Sequence, residues 1–325
     1  MSIIHWILLI IVILFIVNYI ASETNIKILN KSNKNNIDED SILEQHYYQN
    51  FLNLETSSKK KIFIHIPYEK NERNWNDFYA RSSKKLNLEL CNLCIKSIIY
   101  HCSEKYDVIL YNNSNVKDLI KEENEKDLCN IQNTQILSGV DLIQWENYCK
   151  AKILYKFGGI IMDPYFFFYK CPNDSILFPN TFHILQHTNE GLNTSSNELI
   201  PTTAYFMQCP RKDTNMKLYI KYLEYLCVHF YSLDHKHFDK TFEKLYALDS
   251  YDPKYMGILD INNKPIQVRD LFLKQEIVFD NNAFCLFINV PFLKKYTQHG
   301  WILKMNETQI KNSNIFIGEF IRQNS

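Results

Sequence analysis

Residues 153–163 read Ile153-Leu-Tyr-Lys-Phe-Gly-Gly-Ile-Ile-Met-Asp163, and the fold is decided in this stretch. It closes a run from Asp141 to Phe157 in which Leu142, Trp145, Cys149 and Leu154 give an apolar stripe near period 3.6, as in an amphipathic helix. Gly158-Gly159 stops that helix, because glycine enters left-handed backbone without a Cβ clash. Ile160-Ile161-Met162 then reads as a buried strand, with Asp163 at its carboxyl end and Pro164 just beyond.

Working upstream, Lys61-Ile-Phe-Ile-His-Ile66 reads as a strand ended by Pro67, and residues 88–102 as a helix. Tyr106–Tyr111 is a second strand, and residues 115–122 can form a short helix. The resulting β-α-β-α-β order predicts an α/β fold with a parallel, Rossmann-type sheet flanked by helices. In such sheets ligands bind beyond the carboxyl ends of the strands, and Pro67, Tyr111 and Asp163 all fall at that edge. Downstream, strands are expected at 202–207, 276–279 and 284–289, with helices at 214–231 and near 307–320. Tyr165-Phe-Phe-Phe-Tyr169 reads as a buried strand.

The amino terminus has a different character. Ile3 to Ile20 is an almost unbroken apolar run whose length, about 27 Å as a helix, matches one hydrocarbon thickness. Trp6 and Tyr19 fit interfacial belts. No basic residue precedes the run, and it is longer than a signal-peptide core, so an uncleaved transmembrane anchor is expected over 1–21. Residues 22–58 are polar and aperiodic and read as a flexible stalk. The body is 59–325. The expectation is a single-pass membrane protein. Lys27, Lys31 and Lys34 follow the run, so the positive-inside rule would keep the body on the cytoplasmic side, while the sequence leaves the sidedness undetermined. The N-x-S/T sequons at Asn30, Asn112, Asn173, Asn193 and Asn306 matter only if the body is luminal.

Composition excludes several classes. Lys+Arg and Asp+Glu number 36 each, so no global field favours nucleic acid. Neither G-x-x-x-x-G-K nor G-x-G-x-x-G occurs, nor H-E-x-x-H, nor G-x-S-x-G. The nine scattered cysteines are not a disulfide framework. Cys91-x-x-Cys94 lies in an amphipathic run where Leu90, Cys94, Ile98 and Cys102 share one helix face, so core packing is favoured over redox or zinc chemistry. His235-x-His237 has no evident further ligand nearby and reads as a surface loop.

The segment 153–163 resembles the signature of sugar-binding D-x-D glycosyltransferases, those around the yeast-type mannosyltransferases and capsular-polysaccharide transferases. Their pattern runs roughly S-D-hydrophobic-hydrophobic-R, then I-L-Y-x-Y-G-G-I-Y-hydrophobic-D-x-D. Ile62-Phe-Ile-His65 is similar to their first strand, and Cys94–Ile99 and Asp107–Leu110 to the next helix and strand. The likeness covers about residues 60–175. The body also resembles uncharacterised proteins of large DNA viruses, through Asn74–Ser83 and Gly300–Met305. Such a resemblance implies a GT-A-like mixed sheet and a nucleotide-sugar donor. It also implies an acceptor and manganese or another divalent cation, with the membrane reached through the anchor and no nucleic acid. A host endomembrane or a virion membrane would be its setting. It implies donor contacts at His65, Pro67, Asn147, Lys150, Gly158, Gly159, Asp163 and Tyr165, with Asp163 as metal ligand.

Three positions depart from the pattern. Tyr165 stands where the second Asp of D-x-D belongs, Asn147 where the upstream Asp belongs, and Lys150 where Arg belongs. A neutral phenol is a poor ligand for a hard cation, and lysine lacks the bidentate fork of arginine. Asp38-Glu39-Asp40 also spells D-x-D, but in the stalk with no strand before it, so it reads as a solvated acidic run. Three functions stay open on the residues: an anchored glycosyltransferase, a catalytically inactive scaffold or virion-membrane structural protein of the same fold, and a redox protein using Cys91 and Cys94. No residue stands out as a catalytic base.

Overall fold

The computed structural model describes residues 54, 56–66, 89–112, 115–120, 140–188, 199–229, 248–274, 276–295 and 298–325. All fall in one of the two units into which the chain divides, Gln49–Ser325. The other unit, Met1–Tyr48, carries the expected anchor and most of the stalk, and lies outside the described residues. So do Pro67 and His235-x-His237. Among the described residues no helix is long and apolar enough to cross a membrane.

In chain order the elements are β1 Lys61–His65, α1 Glu89–Cys102, β2 Asp107–Tyr111, α2 Val116–Ile120, α3 Val140–Phe157, β3 Gly159–Met162 and β4 Phe166–Phe168. There follow α4 Asp174–Leu177, β5 His183–Thr188, β6 Leu199–Cys209, α5 Thr214–His229, β7 Asp249–Ser250, β8 Cys285–Phe287, α6 Val290–Lys295, α7 Glu307–Lys311 and α8 Phe316–Gln323. Six strands form a mixed sheet in the order β2-β1-β3-β6-β5-β7. Strand β1 pairs in parallel with β2 and β3, as the β-α-β-α-β order predicts. Beyond β3 the direction reverses: β6 runs antiparallel to both β3 and β5.

The register of the parallel strands decides what reaches the carboxyl edge. Phe63 pairs with Ile109 on one side and Ile161 on the other. These three belong to one buried cluster with Trp145, Tyr148, Cys149, Ile153 and Leu154 of α3, so this face is the one α3 covers. Strand side chains alternate faces, so two residues further on the same face presents Tyr111, His65 and Asp163. His65 pairs directly with Tyr111, and Asp163 follows Met162, the partner of Ile64. An apolar rung is therefore succeeded by a polar one at the point where the strands end.

The glycine pair meets a steric demand at the opposite end of β3. Gly158 has φ +69 and donates its N–H to Leu154 O at 2.7 Å, which closes α3. Tyr155 O, one of the last carbonyls of that helix, accepts from Lys212 N at 2.9 Å. Gly159 has φ +104, and a Cβ there would stand 2.4 Å from Lys61 O. Neither residue can carry a side chain without moving backbone.

Strand β4 pairs with β8 in a separate two-stranded sheet. Its three phenylalanines are fully buried, as the sequence predicts for a strand here. Phe166 packs on Phe206 and Phe287, with centroids at 5.5 and 5.2 Å, and Phe168 on Phe284 at 5.4 Å. Ser97 of α1 fixes β4 in place: its Oγ accepts from Phe168 N at 2.9 Å and donates to Cys94 O at 2.7 Å. Cys91 and Cys94 are buried in α1 and form no disulfide, and burial pushes the Cys94 thiol well up. That is the core-packing role, and it removes the redox reading.

Two expectations are corrected. Residues 276–279 are irregular, with Val278 O accepting from Ile261 N in a loop contact. The helix expected near 307–320 is two helices, because Ser313 turns its Oγ onto Ile310 O at 2.6 Å and diverts the chain. The Asn306 sequon is a helix cap whose side chain accepts from Gln309 N.

Candidate functional site

The polar rung is completed from above by α3. Asn147 and Lys150 are three residues apart on that helix, so they share a face, and both are only 3% exposed. Lys150 Nζ donates to Asp163 Oδ1 at 2.7 Å. His65 Nδ1 lies 3.5 Å from the same oxygen. Asp163 retains 11% of its side-chain surface, against 3% for His65 and 4% for Lys150, so it is the least enclosed of three buried side chains.

Burial alone would raise the pKa of the Asp163 carboxyl. The Lys150 charge and the His65 contact overcome that and hold it below its ordinary value. Asp163 is thus a carboxylate at neutral pH. Its backbone is fixed as well: Asp163 N donates to Tyr205 O at 2.9 Å, and Tyr165 N donates to Asp163 O at 2.8 Å.

Tyr111 ends the row. Its ring centroid lies 5.2 Å from that of His65. The side chain is buried, and its hydroxyl has no hydrogen-bond partner among the described residues. Burial pushes its pKa well up, and the negative charges of Asp163 and Glu146 push the same way, so the phenol stays protonated and is a donor. The sequence places Tyr111 at this edge but gives no sign that its hydroxyl lacks a partner.

Of the expected donor contacts the structure brings together His65, Lys150 and Asp163, with Asn147 buried three residues before Lys150 on α3. Tyr165 lies next in the chain, but its ring is buried edge-on against Tyr205, with centroids at 5.8 Å. Gly158 and Gly159 stand at the far end of β3, about 13 Å from Asp163 at strand spacing, where Arg211 and Lys61 dictate their lack of a side chain. They shape the helix-to-strand turn, at the end of β3 away from the carboxyl edge. Pro67 lies outside the described residues.

The site can be tested for the divalent cation that the resemblance implies. A protein-held hard cation needs several oxygen ligands. Among the described residues Asp163 is the one carboxylate at the end of these parallel strands, and its Oδ1 already faces an ammonium that would repel a dication. Among the described residues no three His, Cys, Asp or Glu side chains are grouped to hold a metal. The charges tell the same story. The pattern's two D-x-D carboxylates, upstream Asp and Arg sum to −2, the deficit a dication fills. Asn147, Lys150, Asp163 and Tyr165 sum to zero as they stand. The residues present do not fit the metal.

No known protein family and no curated protein matches the chain. Among solved structures it is similar to one titled "PaToxG Glycosyltransferase", at 12% identity over 71% of this chain and 81% of that one, with a TM-score of 0.34. The overlap is loose, and what bears on function is the geometry of the strand ends.

Proposed function

We propose that the protein is a glycosyltransferase-like protein that binds the diphosphate of a nucleotide-sugar at the carboxyl ends of β1 and β3 and transfers the sugar to an acceptor. Residues 3–20 tether it to a membrane in this reading. The observation that carries it is the convergence of Lys150 and His65 on Asp163 at that edge. Strand β1 leads to β2 on one side of the sheet, while β3 lies on its other side. The crevice between β1 and β3 is therefore the switch point at which open α/β sheets take ligands. Lys150 supplies positive charge for phosphate oxygens, and Asp163 and His65 hold it in place.

The direct test uses the full chain in detergent with a panel of nucleotide-sugars. Release of free nucleoside diphosphate is expected with at least one donor and is expected to be lost in Asp163→Ala. Turnover unchanged in that variant would remove Asp163 from the site. A second reading, an inactive scaffold of the same fold, is favoured by the internal pairing and near-complete burial of the carboxylate. It predicts no release and no nucleotide binding across the panel.

A further inference from the structure

A diphosphate carries negative charge, so a receiving site must be neutral or positive before the ligand arrives. A site of net −2 reaches that condition only with a dication. The four pattern positions described here are neutral without one, because Lys150 balances Asp163 and because Asn147 and Tyr165 carry no charge. A second, independent feature points to a ligand at the same row. Tyr111 is 1% exposed, and its hydroxyl has no hydrogen-bond partner among the described residues. It sits in register with His65, in the rung that ends at Asp163. Buried hydroxyls are almost always paired, so this one marks a place where a hydrogen-bond acceptor is received.

We infer that this row takes the nucleoside diphosphate without a divalent cation, with the Lys150 ammonium in place of the metal's charge and the Tyr111 hydroxyl as a hydrogen-bond donor to a phosphate oxygen. The inference rests on the nucleotide-sugar reading above. It adds Tyr111 to the ligand contacts and assigns the binding chemistry to side chains alone. Asp163 is then a positioning residue that aims the ammonium.

Equilibrium dialysis of the full chain against UDP and GDP tests it, once with excess chelator and once with manganese. The expected result is the same dissociation constant in both for at least one nucleotide. Tyr111→Phe removes only an oxygen that has no partner among the described residues, so the fold should persist, and affinity should fall about tenfold. Lys150→Gln should weaken binding at least about a hundredfold, with Lys150→Arg restoring part of it and circular dichroism checking the fold. Binding that appears only with manganese overturns this inference and leaves the proposed function standing. Chelator-resistant binding that neither Tyr111→Phe nor Lys150→Gln weakens also overturns it, since the ligand then sits elsewhere. No binding in either condition overturns both.

Discussion

Strand β3 is four residues long, and its two ends are held by different forces. At the amino end Gly158 and Gly159 are fixed by contact. The backbone of Arg211 and the carbonyl of Lys61 stand where side chains would go. At the carboxyl end Asp163 is fixed by charge, with Lys150 and His65 around one oxygen. One continuous motif, Gly158 to Asp163, therefore joins a packing device to an electrostatic one. The lesson is that a family-like motif need not be functional along its whole length. Here the glycines serve the fold, and only the acidic end lies at the carboxyl edge of the sheet.

Substitutions can separate the two ends, and the largest effect belongs to the amino end. Gly159→Ala puts a Cβ 2.4 Å from Lys61 O at a φ of +104, so backbone must move. A loss of about 5 kcal/mol or more is expected, seen as failure to accumulate folded protein. Near-normal stability in urea titration would show that the turn is not held by contact.

The next effect belongs to the carboxyl end. Lys150→Met or Asp163→Leu alone takes from a buried charge the opposite charge beside it and should cost about 3–5 kcal/mol. The double variant should recover most of that loss, because a buried ion pair replaced by apolar groups is often close to neutral. Thermal unfolding of the three variants reads this out. Additive losses in the double variant would refute the pairing.

Acid should distinguish the ends as well. Asp163 has a folded pKa below its ordinary value. It therefore contributes stability that is fully present above the unfolded carboxyl pKa, about 3.9, and is lost as pH falls through the lowered folded value. The Lys150→Met/Asp163→Leu variant should lack this part of the acid limb, while a conservative packing change near Gly158 should leave it intact. Stability curves between neutral pH and the acid limb check this, and identical limbs in parent and double variant would count against the low pKa.

The smallest stability effect is expected of Tyr111→Phe, within about 0.5 kcal/mol of the parent, because the deleted oxygen has no partner among the described residues. A large loss would mean the hydroxyl has a structural partner after all.

Much of this was readable from the residues alone. The short apolar runs in Lys61–His65 and Asp107–Tyr111, the helical period of 141–157 and the glycine stop together specify β1, β2, α3 and β3 to within a residue or two. The parallel pairing of β1 with its neighbours follows from chain order. Strand β5, His183-Ile-Leu-Gln-His-Thr188, was not legible, because its register shifts between Ile184 and Leu185 and breaks the alternation. Strand β7 is two residues long and has no period to read. The break between α7 and α8 depends on a side-chain oxygen, Ser313 Oγ, choosing Ile310 O. At the site, the position of Asp163 at a strand end was visible, and so was Lys150 on the facing helix. Their 2.7 Å pairing was not, since it is a contact between a helix and a strand end. The unpaired hydroxyl of Tyr111 was equally hidden, because hydrogen-bond satisfaction exists only in three dimensions.

The central claim is that the carboxyl end of β3, with Lys150 above it, receives a nucleoside diphosphate. Calorimetric titration of the parent chain and of Lys150→Met/Asp163→Leu with the same nucleoside diphosphates tests it most directly, since the double variant is expected to stay folded. The account predicts a saturable heat with the parent and none with the variant. No heat with the parent, or equal binding by both, would contradict it.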